Sequence, residues 1–504
     1  MRVRIHLVLL SVWTCVLLNP GNLGTVDTVR RLQVTRWIWR GEPPVRPDDP
    51  GAGVVGRNGV RHPPYGIGQS LVMLPFDIFA NAVIGPVLKR FNLDASRQAQ
   101  IVELALAFLM QSFLTACALL LAYELLRTLR FSTGTSATGA LALLFATTVL
   151  QYVQCAQENL LLLALALATL YAVRRYVGDP GIQWAAAAGL ASSLALLTRL
   201  TSVLETGVLG IYALACTSQR KRFLAGFAAP IAAALLFDRW YQYYRFGEIF
   251  STYTGIVERQ FRPAGAPEKF LFSYPFWKGF LGALFSPDKS VLLFDPLLAL
   301  SLVLVAWNWR ALERQLRLLL GALVLLLGMY LTFYAKYYFF GGGVAWGDRY
   351  VLLPVQLFCL FAVPLLLASP RPLPQSLRRG LWTFVIASVV IQASSTIIAA
   401  NLEVMQRERG YPGGAIWNRA INLIQISTGR EDPQRFAGIP VEWRTLYYFP
   451  FQLRFRFPAL APWAIAGWLA LIVVLPVLIL TALRAARAPA VRASPEVAST
   501  ARIP

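Results

Sequence analysis

Asp27 is the first residue whose type and place could do chemistry. It follows directly on the first apolar stretch, within Thr25-Val26-Asp27-Thr28-Val29-Arg30-Arg31. A carboxylate at a membrane surface can take a proton from an acceptor hydroxyl, and partial burial there favours its protonated form. It can equally be a plain N-cap or loop carboxylate for the helix expected over Thr28–Trp39. Downstream, Arg61-His62-Pro63-Pro64-Tyr65-Gly66-Ile67-Gly68 must form a rigid turn, because its prolines and glycines fix the backbone. Arg61 is suited to bidentate phosphate binding, with His62 beside it. Ordinary loop chemistry explains the same residues.

Three further clusters stand at the ends of apolar stretches. Gln151-Tyr152-Val153-Gln154-Cys155-Ala156-Gln157-Glu158-Asn159 is densely polar yet runs straight into leucines, which points to a cavity lining for Gln157 and Glu158. Thr198-Arg199 is similar, with an arginine placed to face a cavity or to snorkel. Asp238 to Glu248 interleaves arginines with aromatics, among them Tyr244 and Arg245, which suits a sugar- or phosphate-facing surface as well as an interfacial belt. Last, Lys336 precedes Gly341-Gly342-Gly343-Val344-Ala345-Trp346-Gly347-Asp348-Arg349-Tyr350, whose glycines allow a backbone to approach a ligand closely. Asp348 and Arg349 can also simply pair with each other.

Other chemistries lack their residues. Only His6 and His62 exist, and Cys15, Cys117, Cys155, Cys216 and Cys359 share no ligand spacing, so no metal cluster is expected. The triple glycine lacks the Lys-Ser/Thr of a phosphate loop, and no dinucleotide fingerprint or serine-nucleophile elbow occurs. Basic residues spread over many loops form no nucleic-acid-binding domain.

Those residues need elements to hold them. The 504-residue chain is 57% hydrophobic and only 14% charged, with mean hydropathy +0.54. Such a composition excludes disorder, collagen and a secreted disulfide scaffold, and it implies an all-α polytopic membrane protein. Twelve spans are read near 5–19, 101–124, 137–153, 159–174, 184–200, 202–216, 223–240, 290–309, 317–334, 350–368, 381–400 and 460–483. The first lacks a small-x-small cleavage site before Pro20 and reads as an uncleaved span. Short arginine-rich loops at 127–130, 174–175, 220–222, 310–317 and 371–379 should share the cytoplasmic face with both termini. That parity holds only if 69–88, interrupted by Pro75, Asp77, Asn81 and Pro86, lies in the outer interface and does not cross. Outer loops then fall at 20–100, 239–289 and 401–458, and 484–504 reads as a disordered cytoplasmic tail.

In their order along the chain these motifs resemble the GT-C class of integral-membrane glycosyltransferases. The nearest likeness is the bacterial branch related to protein O-mannosyltransferases and lipid A aminoarabinose transferases (glycosyltransferase 39-like). The likeness runs to about residue 368 and rests on Asp27, Arg61 to Leu71, Tyr244-Arg245-Phe246-Gly247, Ser286-Pro287-Asp288-Lys289 with Asp295-Pro296, and Trp346 to Tyr350. It implies a bundle of about 12 transmembrane helices in a catalytic module over 1–400. A loop at 401–458 for acceptor contact would follow, with Tyr411 to Gly414 and Trp417, and then a last helix at 459–483. It further implies a polyprenyl-phosphate sugar donor, and transfer of a hexose or pentose to a glycan, lipid or protein hydroxyl on the outer face of the plasma membrane. Asp27 would be the inverting general base. Arg61, His62, Arg245, Lys336 and Arg349 would hold the donor phosphate, and Tyr65, Gln157, Glu158, Arg199, Tyr244 and Trp346 the substrates. Relatives often carry paired acidic residues in the first loop, whereas Thr28 follows Asp27. No cofactor is therefore expected, a divalent cation is not indicated, and Glu158 or Asp77 is the candidate second carboxylate. A transporter of lipid-linked sugars and an inactive lipid-binding homologue remain the alternatives; the first would show repeated halves, and none is visible.

The net charge of +22 divides accordingly. One part is the inner-face arginine bias. The rest, from Arg30, Arg31, Arg36, Arg40, Arg46, Arg57 and Arg61, suits an anionic donor at the outer interface, although a GC-rich genome can also favour arginine.

Overall fold

Each apolar stretch folds as a helix or a broken helix. The computed structural model describes residues 1–49, 53–91, 93–343 and 345–487. After α1 (Arg2–Leu18) the chain turns at Asn19-Pro20 into the polar α2 (Val26–Arg40), which ends at Gly41 in the left-handed conformation. A two-residue hairpin pairs β1 (Val54–Val55) with β2 (Arg61–His62). Then α3 (Gly68–Phe79) runs through a π-helical turn at Ala80–Ile84 into α4 (Gly85–Lys89). Asp94 caps α5 (Ala95–Thr128), the longest helix described at 34 residues.

Three of the expected spans are broken, two of them at a proline. α6 (Thr133–Phe145) and α7 (Val149–Gln154) part at Ala146–Thr148, where buried Asp295 accepts from Thr148 N at 2.7 Å and Thr148 Oγ1 at 3.0 Å. α8 (Glu158–Gly178), α9 (Ile182–Thr198), α10 (Ser202–Cys216) and α11 (Arg220–Phe246) follow with short connections. Past α12 (Tyr253–Phe261) and α13 (Phe276–Phe285), α14 (Val291–Phe294) is separated from α15 (Pro296–Asn308) at Asp295, because a residue before proline is driven out of the helical region. α16 (Arg314–Ala335) is continuous. α17 (Leu352–Cys359) and α18 (Ala362–Leu367) part near Leu360, whose carbonyl loses its usual donor to Pro364. α19 (Gln375–Ile397) leads into α20 (Asn401–Glu408) and α21 (Ala415–Thr428), and α22 (Phe449–Gln452) into α23 (Ala461–Arg487). The tail predicted to be disordered lies, from residue 488 on, outside the described residues; its first residues continue α23.

Among the described residues seven helices are long and apolar enough to cross a membrane, with shorter apolar helices beside them. The protein is an all-α, multi-pass membrane protein. Its arginine-rich loops do gather at one end. Arg4 pairs with Glu124, Arg174 reaches Thr128 O and Gln315 Oε1, Tyr176 Oη donates to Gln219 O, and Arg371 N donates to Asn308 Oδ1. Asp27 and its partners lie at the opposite end.

The rod Gly68–Lys89 is by length and hydropathy one of the seven, against the expectation that its polar residues mark a helix too interrupted to span. Its interruptions are absorbed within the protein. Asp77 is wholly buried, accepting from Trp39 Nε1 at 2.9 Å and Arg36 Nη2 at 3.4 Å, while Arg36 also reaches Glu103. The rod packs along α5 as far as its middle, with Phe76 and Phe113 ring centroids 5.7 Å apart.

Residues 401–458 form a small cap over the end of α19. Its own apolar centre comprises Ile398, Leu402, Phe436 and Ile439. Buried Arg419 pins it, donating to Ile398 O at 2.7 Å and to Glu403 Oε2 at 2.6 Å.

Candidate active site

α2 begins one residue before Asp27, so this carboxylate is not the N-cap. Thr25 is the N-cap, its Oγ1 accepting from Thr28 N at 3.3 Å, so Asp27 stands in the first turn and need not cap anything. Helix-terminal N–H groups favour a negative charge there. Tyr65 Oη donates to Asp27 Oδ1 at 2.6 Å, and Arg349 Nη1 donates to Oδ2 at 3.1 Å. Burial and the neighbouring Asp27 carboxylate push the Tyr65 phenol well above its ordinary range, so it remains a donor.

Glycine brings Tyr65 to this place. A Cβ on Gly66 would lie 2.3 Å from Leu197 O, and one on Gly68 2.2 Å from Thr198 Oγ1. The turn can therefore seat directly on the end of α9, beside Arg199. Arg245 buckles it from the other side, its Nη1 donating to Pro63 O at 3.1 Å and Tyr65 O at 3.0 Å.

A second carboxylate, Glu158, opens α8. It accepts from Arg199 Nη2 and forms an ion pair with Arg31 Nη1 at 2.9 Å. Arg31 also covers the Tyr65 ring at 4.5 Å. Arg349 arrives on a loop drawn together by buried Lys289, whose Nζ donates to Gly343 O and Ala345 O at 2.8 Å each and to Gly347 O at 3.2 Å.

These groups open on one cavity of about 570 Å³. Asp27, Tyr65, Glu158, Arg199, Arg349 and Arg31 line it together with Leu204, Val257, Leu271, Phe272 and Phe333. Three guanidiniums face two carboxylates, and much of the remaining wall is hydrocarbon. Both carboxylates are engaged by cationic or phenolic donors. Among the described residues no three His, Cys, Asp or Glu side chains cluster as a ligand set.

The other residues singled out from the sequence lie elsewhere. Gln157 and Trp346 line a neighbouring small chamber. Arg61 and His62 belong to β2, with Arg61 Nη1 donating to Gly53 O at 3.3 Å. Buried His62 sits between Trp37 and Phe246, ring centroids 6.0 and 5.9 Å away. Desolvation, with Arg245 nearby, lowers its pKa to about 4. Tyr244 packs on Trp37 and Trp240. Lys336 caps α16, its carbonyl accepting from Tyr274 N at 3.1 Å. None of these six lines the large cavity, and neither does Arg245 or Asp77. The cavity residues that motif reading missed are Arg31, Tyr253, Tyr334 and Tyr350. Arg31 carried a usable signal, since it follows Asp27 by four residues and shares its helical face. Tyr253 and Tyr334 carried none, being indistinguishable in sequence from core aromatics, whereas Tyr350 stood inside the motif Trp346 to Tyr350.

A family model, glycosyltransferase family 87, matches residues 65–334, more than half of the chain. The chain belongs to that family and is a membrane glycosyltransferase. The match names family 87 and not the O-mannosyltransferase-like branch that the motifs resemble. It includes Tyr65, Glu158, Arg199 and Tyr334, and leaves Asp27 and Arg349 outside its limits. Neither a curated protein nor a solved structure matches the chain.

Proposed function

We propose that this member of glycosyltransferase family 87 moves a hexose or pentose from a polyprenyl-phosphate donor to an acceptor hydroxyl, with inversion, on the outer face of the plasma membrane. The observation that carries the reading is the combination in one cavity of Asp27, three guanidiniums and an apolar wall. A sugar phosphate needs the charges, and the first isoprene units need the hydrocarbon. About 570 Å³ falls in the size range of ordinary ligand sites.

Chemistry then follows from the contacts. The donor phosphate competes with Asp27 for Arg349, and its capture releases Oδ2. Asp27 takes the proton of the acceptor hydroxyl, whose oxygen bonds to the anomeric carbon while the carbon–oxygen bond to phosphate breaks. Polyprenyl phosphate leaves with the bonding electrons, its added charge met by Arg349, Arg31 and Arg199. Glu158 acts by holding Arg31 and Arg199 in place, and Tyr65 by orienting Oδ1. Arg245 and His62 shape the turn that carries Tyr65, and the reading gives Arg61, Lys336 and Tyr244 no contact with the phosphate.

Release of polyprenyl phosphate by purified protein supplied with polyprenyl-phosphate hexoses and pentoses tests this. Wild-type protein is expected to release it in step with acceptor modification. Full activity in Asp27→Asn would overturn the assignment of the base.

A further inference from the structure

Beside the large cavity lies a chamber of about 40 Å³, room for roughly three water molecules. It differs in chemistry. Its lining includes Gln151, Tyr152, Gln157, Trp346, Asn401 and Tyr447, and no charged side chain. Three of these residues carry a buried polar atom without a hydrogen-bond partner: Gln151 Oε1, Tyr152 Oη and Trp346 Nε1. A stranded buried acceptor or donor costs about 1–3 kcal/mol, so each calls for a partner that the protein does not supply.

The two spaces share a partition made by three chain segments. Thr25 faces the small chamber and Asp27 the large one; Gln157 and Glu158 divide in the same way, as do Trp346 and Arg349. Asp27 thus stands in the wall between a charged, partly apolar space and a neutral, amide- and aromatic-lined one. Its roof is Ala399, Ala400 and Asn401, where α19 meets the cap.

We propose that the small chamber is the acceptor subsite and takes one edge of a neutral, polyhydroxylated sugar. Amide, phenol and indole groups supply donors and acceptors for hydroxyls, and aromatic faces pack against the ring's C–H surface. A carboxylated or phosphorylated acceptor would find no charged side chain in the lining to pair with directly, which is costly. The assignment of one hydroxyl to Asp27 across the partition rests on the proposed reaction; the chemistry of the chamber does not.

The experiment measures binding of n-octyl glycosides of neutral hexoses and pentoses, and of octyl hexuronates, to the full chain in nanodiscs by saturation-transfer NMR. Neutral octyl glycosides are expected to bind through their sugar protons, hexuronates at least tenfold more weakly. Gln151→Leu and Tyr152→Phe, which keep volume and remove polar atoms, are expected to weaken neutral-sugar binding about tenfold. They should leave the affinity for polyprenyl-phosphate sugar unchanged. Absence of neutral-sugar binding, equal binding of hexuronates, or indifference to both substitutions overturns the proposal. Failure of the donor reaction would be seen separately, as no released polyprenyl phosphate in a protein that still binds octyl glycosides.

Discussion

Asp27 is engaged at both oxygens, by Tyr65 at 2.6 Å and Arg349 at 3.1 Å, and the substitutions that matter follow from those two contacts. Asp27→Asn keeps the shape of the site and removes the base. Transfer is expected to fall by at least about 100-fold, with expression and thermal midpoint retained. Arg349→Met strips the group that exchanges Asp27 for phosphate; kcat/KM for donor should drop by roughly 100-fold while acceptor KM moves little, and an effect confined to the acceptor would contradict that role. His62 offers a pH test. Its folded pKa of about 4 lies below the ordinary 6.5, so stability is fully present above pH 6.5 and is lost as pH falls towards 4. Hydrogen exchange of the 54–62 hairpin should quicken over that window in the wild type. His62→Gln should flatten the dependence, and an unchanged pH profile in this variant would assign it to another group. The acidic base candidate and the Tyr65, Glu158, Arg199 and Arg349 positions were legible because polar residues at the ends of apolar stretches are few. Arg245 looked like a phosphate ligand because its type suits one; only its bonds to Pro63 O and Tyr65 O show the guanidinium already committed.

At the level of elements, the broken helices and the rod Gly68–Lys89 set the architecture. The break between α6 and α7 is sealed by Asp295, which accepts from both Thr148 N and Thr148 Oγ1 in a fully buried place. Asp295→Ala strands those donors at a cost of about 1–3 kcal/mol each, expected as a lower thermal midpoint in detergent; an unchanged midpoint would mean that the break is held by other contacts. The rod could span by length, yet its centre is tied through Asp77 to the polar α2. At 34 residues α5 is about 51 Å long, well beyond a hydrocarbon core of about 30 Å, and the rod packs along it from its start to about Phe113. An interfacial rod is therefore expected to leave Ser96 outside. In a cysteine-free background, Ser96→Cys should react with a membrane-impermeant maleimide added to intact cells, and labelling only after permeabilisation would place the rod across the membrane. Span positions were readable because apolar length is a one-dimensional property. The break between α6 and α7 was not, since Asp295 and Thr148 are 147 residues apart and meet only in space.

For the molecule as a whole, chemistry is concentrated at one end. The arginines of the short loops gather at the other end, and those of α2 reach the site as Arg31 or the rod as Arg36. The excess of positive charge thus has two separate places. In sealed vesicles of uniform orientation, donor and acceptor supplied on the cavity side should suffice for turnover. A requirement for acceptor in the opposite compartment would favour the transport reading over surface transfer.

The sequence by itself determined the membrane class, the helical fold, the positions of the apolar helices and the gathering of basic loops at one end, because each depends on local hydropathy and charge. It also pointed to Asp27. The tertiary structure alone decided which side chains share a cavity with Asp27, since those come from α2, the turn at Tyr65, α8, the end of α9 and the loop at Arg349, segments joined by close approach and long-range hydrogen bonds. It also decided that Asp27 is a first-turn carboxylate held by Tyr65 and Arg349 and not a cap, a difference of two residues in where a helix begins.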